Sequence, residues 1–170
     1  YARSRTAFLL FAVGVLNTFT NYGHHTYHLP QSSWIHGISF GVSMLEVVIL
    51  AKVFLDLFAL GRRRPAAPEY AVADRFSVSL TGWTFCLLLF AIAISLPPVN
   101  AVIHGTHVVV AHSMGSMIGI DTMILGVAFA YLVRVVAGPD HPAVRGGKVR
   151  RAVLAVDLSL AVFLGTFLAR

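Results

Sequence analysis

Five apolar stretches dominate this chain and leave few folds open to it. They run from Ala7 to Tyr27, Trp34 to Leu60, Phe76 to Ile94, Val102 to Val136 and Ala152 to Leu168. Each is near or above the ~20 residues with which a helix crosses a bilayer. The connectors between them carry proline, glycine or charge, as in His28-Leu29-Pro30 and Leu96-Pro97-Pro98. Buried helices of a soluble core are apolar too, but charged residues make up only 12% of this chain. A soluble domain normally holds about a quarter. The expected fold is therefore all-α, a polytopic transmembrane helical bundle of five spans forming one domain over residues 1–170. The fourth stretch is too long for a bare crossing and should begin or end outside the hydrocarbon.

Basic residues set the expected orientation, because cytoplasmic loops hold the Lys/Arg excess. Arg3 and Arg5 precede the first stretch. Arg62, Arg63, Arg64 and Arg75 lie between the second and third, and Arg134, Arg145, Lys148, Arg150 and Arg151 follow or close the fourth. Only Lys52 and Arg170 fall elsewhere, and the other two connectors contain no Lys or Arg. This alternation predicts a multi-pass protein of a bacterial inner membrane with a cytoplasmic N-terminus. It also accounts for the net charge of +6 without nucleic acid as a partner. The single cysteine, Cys86, leaves no disulfide framework and no Cys-based zinc site.

Seven histidines, namely His24, His25, His28, His36, His104, His107 and His112, then fall at or near the outer level, and only His141 lies in an inner loop. Ionisable groups at membrane depth are costly and default to a functional reading, and imidazole is a common ligand for iron and copper. Two clusters stand out: Asn21-Tyr22-Gly23-His24-His25-Thr26-Tyr27-His28 and His104-Gly105-Thr106-His107 through His112-Ser113-Met114-Gly115. Adjacent residues of an α-helix diverge by ~100°. His24 and His25 can therefore share a metal only where the helix end is distorted, and Gly23 would help there. Glu46, read alone, is a mid-span acid that either moves protons or pairs with a neighbouring polar group. For Asp121, proton relay and a buried hydrogen-bonded pair are both open. Lys52 and Asp56, four apart, are expected to pair, and Asp157 to make a polar packing contact. Asn100, His104, Trp34 and Gln31 lie at the same outer level, placed to hydrogen-bond a bound group.

Gly23-His24-His25, Phe40-Gly41-Val42-Ser43-Met44-Leu45-Glu46, His104-Gly105-Thr106 and Ala111-His112-Ser113-Met114 resemble, in order and interval, motifs of the haem–copper oxidase superfamily. The resemblance is to the C-terminal part of its nitric-oxide reductase large subunit. It implies reduction of two NO to N2O at a high-spin haem paired with a non-haem iron. By the same resemblance His24 and His25 are ligands of that second metal, His112 is the axial ligand of the high-spin haem b, and Glu46 is a catalytic acid that brings in protons. The family has a second histidine, for a low-spin haem, where this chain has Met114; a thioether can serve as an axial ligand, or Met114 simply packs. The family draws its third histidine for the non-haem metal from earlier spans. The chain is thus expected to be a fragment or split part, completed by N-terminal spans or a partner membrane subunit and supplied with electrons by a cytochrome c subunit or quinol. The rival expectations are an oxygen-reducing terminal oxidase with copper at His24 and His25, and a metal-free structural subunit of such a complex.

Overall fold

The computed structural model describes residues 5–61 and 67–169, all helix, turn or connector with no strand among them. Its elements in order are α1 (Arg5–Thr20), a 3-10 turn (Asn21–Thr26), α2 (Ser33–Gly61), a short 3-10 turn (Pro68–Tyr70), α3 (Ala71–Ile94), α4 (Pro97–Ile103), α5 (His107–Ser116), a π-helical turn (Met117–Asp121), α6 (Thr122–Ala137), α7 (Pro142–Arg145) and α8 (Gly147–Leu168). The all-α, membrane-spanning expectation holds. The spans Ser33–Asp56, Pro68–Ile94, His107–Ala137 and Gly147–Leu168 are long and apolar enough to cross a membrane. Many of their large apolar side chains are exposed, among them Leu45, Leu55, Phe129 and Val162, as expected of helices solvated by lipid.

That is four such helices among the described residues, one fewer than expected. The missing one is α1, whose 16 residues rise only about 24 Å against a hydrocarbon thickness of about 30 Å. Asn21 and Gly23 are poor helix formers, and from Asn21 the backbone tightens into its 3-10 turn. The Thr26 hydroxyl closes that turn by donating to the Gly23 carbonyl at 2.7 Å. The long fourth stretch also resolves as its length demanded. Gly105 takes a left-handed φ of 78°, Thr106 accepts a capping bond from the Val108 N–H at 3.3 Å, and the crossing begins at His107. The last span starts at Gly147 rather than Ala152, because its first turn lies among basic residues.

Two compact units divide the chain. The first is Tyr1–Arg62 with Leu88–Gly105, and the second is Arg63–Leu87 with Thr106–Arg170. In the first, α1 and the 3-10 turn pack on α2. Ser39 and Ser43 are buried on α2, with the Ser43 hydroxyl returned to the Ser39 carbonyl at 2.9 Å. Lys52 and Asp56 form the ion pair that their spacing predicts.

In the second unit, α5 packs on α8 through small residues that let backbones approach closely. A Cβ at Gly119 would lie 3.0 Å from the Trp83 ring and 3.1 Å from Leu160. The buried face reads Ala111, Gly115, Gly119, Met123, with Ala111 and Met123 at 0% and 1% exposure. Twelve residues of regular α-helix would carry that stripe about 120° around the axis. The extra residue accommodated by the π-helical turn at Met117–Asp121 returns about 100° of it, so one face stays against its neighbours. Asp157 makes the polar packing contact expected of it, accepting from the Ser79 hydroxyl and from the Trp83 indole N–H, the latter at 2.9 Å.

Candidate functional site

The first unit holds His24, His25, His28, His36 and His104. Gly23 sits so close to α2 that a Cβ there would overlap the Ser39 side chain; only glycine allows this approach. The turn is thereby held over the face of α2 that carries Ser39, Ser43 and Glu46, residues spaced by four and three and so aligned on one side. Glu46 is half-buried on that face and engaged with neighbouring groups. The side chain of His24 lies outside the described residues. The backbone of both histidines is in the 3-10 turn, where neighbouring residues diverge by about 120°, so the turn by itself does not aim His24 and His25 at one point.

His25 remains partly exposed. The protein covering its ring, and then the nearby His104, hold its pKa below the ordinary 6.5. A metal takes the neutral imidazole, so this shift suits the ligand role. His104 reaches the cluster because α4 ends at Ile103. Its ring stacks on His28 with centroids 3.9 Å apart and planes inclined by 27°. The sequence placed His28 and His104 at one level but not in contact. Nothing in their spacing, 76 residues apart, carries that signal.

Tyr27 meets His36 edge-on at 5.7 Å, and its hydroxyl is buried beside Ser43. Burial raises the phenol pKa above its ordinary 10, against an opposing pull from Ser43. Asn100, 5% exposed, donates from Nδ2 to the Ile94 carbonyl at 3.1 Å, while its Oδ1 is buried without a hydrogen-bond partner. The same is true of Gln31 Oε1 and His36 Nε2. Unsatisfied buried polar atoms cost about 1–3 kcal/mol each, and the second unit has them too, at Arg75 Nε and Arg134 Nε. Asn100 and Gln31 had been singled out for that level; Trp34 is largely exposed.

The second unit holds the other predicted ligands. Ala111 and Gly115 form the packed face of α5, and His112 and Met114 flank it, ~200° apart. His112 is half-buried with its Nδ1 fully covered, and the Ser116 hydroxyl donates to its carbonyl at 3.0 Å. Met114 is 42% exposed, so its thioether is not consumed by packing within the unit. The donor set on α5, one imidazole and one thioether on opposite sides, fits axial ligation of haem. His107 lies against Phe167, with ring centroids 5.7 Å apart. Asp121 is exposed in the π-helical turn, which does not match a buried pair. Among the described residues, no group of three or more His, Cys, Asp or Glu side chains comes together to hold a metal ion.

Compared with protein-family models, curated proteins and solved structures, the chain matches none.

Proposed function

We propose that this chain forms part of the catalytic core of a membrane nitric-oxide reductase of the haem–copper oxidase superfamily. The observation that carries the reading is the Gly23-His24-His25 turn seated on the Ser39–Ser43–Glu46 face of α2. That contact brings together two of the motifs on which the resemblance rests. His24 and His25 would hold a non-haem iron, His112 a high-spin haem b and Met114 a low-spin haem. When bound, these metals would supply the electrons and the open coordination positions for joining two NO. The second metal needs further ligands, which N-terminal spans or a partner subunit would provide; a cytochrome c subunit or quinol would donate the electrons. The clean alternation of basic residues supports a bacterial inner-membrane location with the histidines on the outer side.

The chain's own residues have definable tasks in that reaction, in which two NO, two electrons and two protons give N2O and water. His25 keeps its lone pair available because its charged form is disfavoured. Glu46, one helical turn beyond Ser43, passes protons inward. The Nδ1 of His112 is covered by the protein, so Nε2 would be the ligand atom. The test uses the whole complex. His112→Ala should abolish the high-spin haem signal in reduced-minus-oxidised spectra together with NO consumption. His25→Ala should lower non-haem iron while retaining haem. Normal turnover in His112→Ala defeats the assignment, and copper in place of iron on elemental analysis transfers it to oxygen reduction.

A further inference from the structure

At the basic end of the second unit a cavity of about 350 Å³ opens between the start of α3 and the start of α8, lined by Ala71, Val72, Gly146, Gly147, Arg150 and Arg151. Its volume falls in the ~300–1,000 Å³ range of small-molecule sites. The charges that line it are of one sign. Neither Arg150 nor Arg151 has an ion-pair or hydrogen-bond partner for its guanidinium among the described residues. No acid lines the cavity; Glu69, just before α3, is turned to Arg134 at 4.0 Å. Two guanidiniums gathered without an anion repel each other and leave ten N–H donors to solvent.

The backbone adds to the same field. Gly146 caps α8 with no side-chain bond, and the first turn of α8 holds no acid. The first amide to return within the helix is that of Arg150, to the Gly146 carbonyl at 3.4 Å. The amides before it therefore have no helical acceptor. Gly147 itself lines the cavity beside Gly146, which places the start of the helix at its wall. Planar guanidiniums recognise tetrahedral oxyanions bidentately. Below them Val72, 6% exposed, gives the cavity an apolar floor. The cavity lies at the starts of two helices long and apolar enough to cross a membrane, and the end of such a helix is where headgroups meet protein.

We infer that this cavity is a phosphate-binding site, filled by the headgroup of an anionic phospholipid or by free phosphate. It is independent of the reductase reading. The test is native mass spectrometry of the full chain in zwitterionic detergent, equilibrated with phosphatidylglycerol in one arm and inorganic phosphate in the other. Arg150→Gln/Arg151→Gln should weaken retention roughly 30-fold, about fivefold for each arginine. Lys148→Gln removes the same charge from the same turn without lining the cavity, and should change retention less than twofold. Retention of the lipid alone identifies a headgroup, and displacement of lipid by millimolar phosphate identifies the free ion; either bears the site out if the arginine dependence holds. Equal losses in Lys148→Gln and the double variant, or no loss in either, overturn it. If the double variant fails to fold by circular dichroism, the single variants Arg150→Gln and Arg151→Gln carry the same comparison.

Discussion

Replacing Gly23 with alanine puts a methyl group where α2 already has atoms. The new Cβ would overlap the Ser39 hydroxyl and lie 2.6 Å from Ser39 Cβ and 3.4 Å from Ser39 Cα. The hydroxyl could rotate away, but Cβ is fixed to a residue inside a 29-residue helix, so the turn itself must lift. Overpacking of this kind costs about 1–3 kcal/mol. Ser39→Gly removes both clashing atoms and leaves only the 3.4 Å neighbour, at a helix-propensity cost below ~1 kcal/mol. Gly23→Ala/Ser39→Gly should therefore be more stable than the sum of the single changes predicts, by about 1–2 kcal/mol. Unfolding in mixed micelles at rising dodecyl sulfate fraction, followed by far-ultraviolet circular dichroism, measures the cycle. Under the proposed function, NO turnover should fall in Gly23→Ala and recover in the double variant. Strictly additive single changes, or a silent Gly23→Ala, would show that the turn does not rest on Ser39 and would refute the reasoning.

Asp157→Ala should cost about 1–2 kcal/mol in the same unfolding assay, because it strands the Ser79 and Trp83 donors inside the unit. Asp157→Asn keeps an acceptor oxygen and should cost less than half as much. Gly119→Ala, which presses on Trp83 and Leu160, should destabilise by about 1–2 kcal/mol, whereas Gly165→Ala, with nothing within 4 Å of its Cβ, should be near neutral. The His25 pKa lies below 6.5 through burial first and His104 second, so the stability this group contributes is present above pH ~6.5. It is lost as the pH falls through the folded value. His104→Gln should raise the His25 midpoint only part of the way back in nitrogen-15 NMR of labelled histidine; full return to 6.5 would contradict the larger weight of burial.

The membrane character was legible because lipid imposes length and apolarity on every crossing, and those are properties of composition along the chain. Pairings within one helix were legible too, since a spacing of four fixes Lys52 beside Asp56 wherever the helix goes. The failure of the first stretch to supply a full-length α-helix had a local signal in Asn21 and Gly23, but an apolar run outweighed it. The π-helical turn at Met117–Asp121 had none. It shows up only as a buried stripe that keeps to one face for longer than regular α geometry allows. Partners far apart in sequence were beyond reach: the Asp157 contact with Trp83 joins residues 74 apart. Periodicity located each of them on its helix and could not say which helices meet.

His104 and His107 show how much one backbone angle decides. Three residues apart on an unbroken helix they would share a face and would be candidates for one site. The left-handed φ of Gly105 and the capping bond at Thr106 end one helix and begin another between them. His104 thus stays in the first unit, stacked on His28 and lowering the His25 pKa. His107 opens the crossing helix in the second and lies against Phe167. A residue with a Cβ at position 105 would be strained in that conformation, and a continuous helix through the break would draw His104 away from the turn. The His-Gly-Thr motif is, on this physical reading, a device that assigns two neighbouring histidines to different surroundings. The glycine in it bears on the His25 environment as directly as the histidine does.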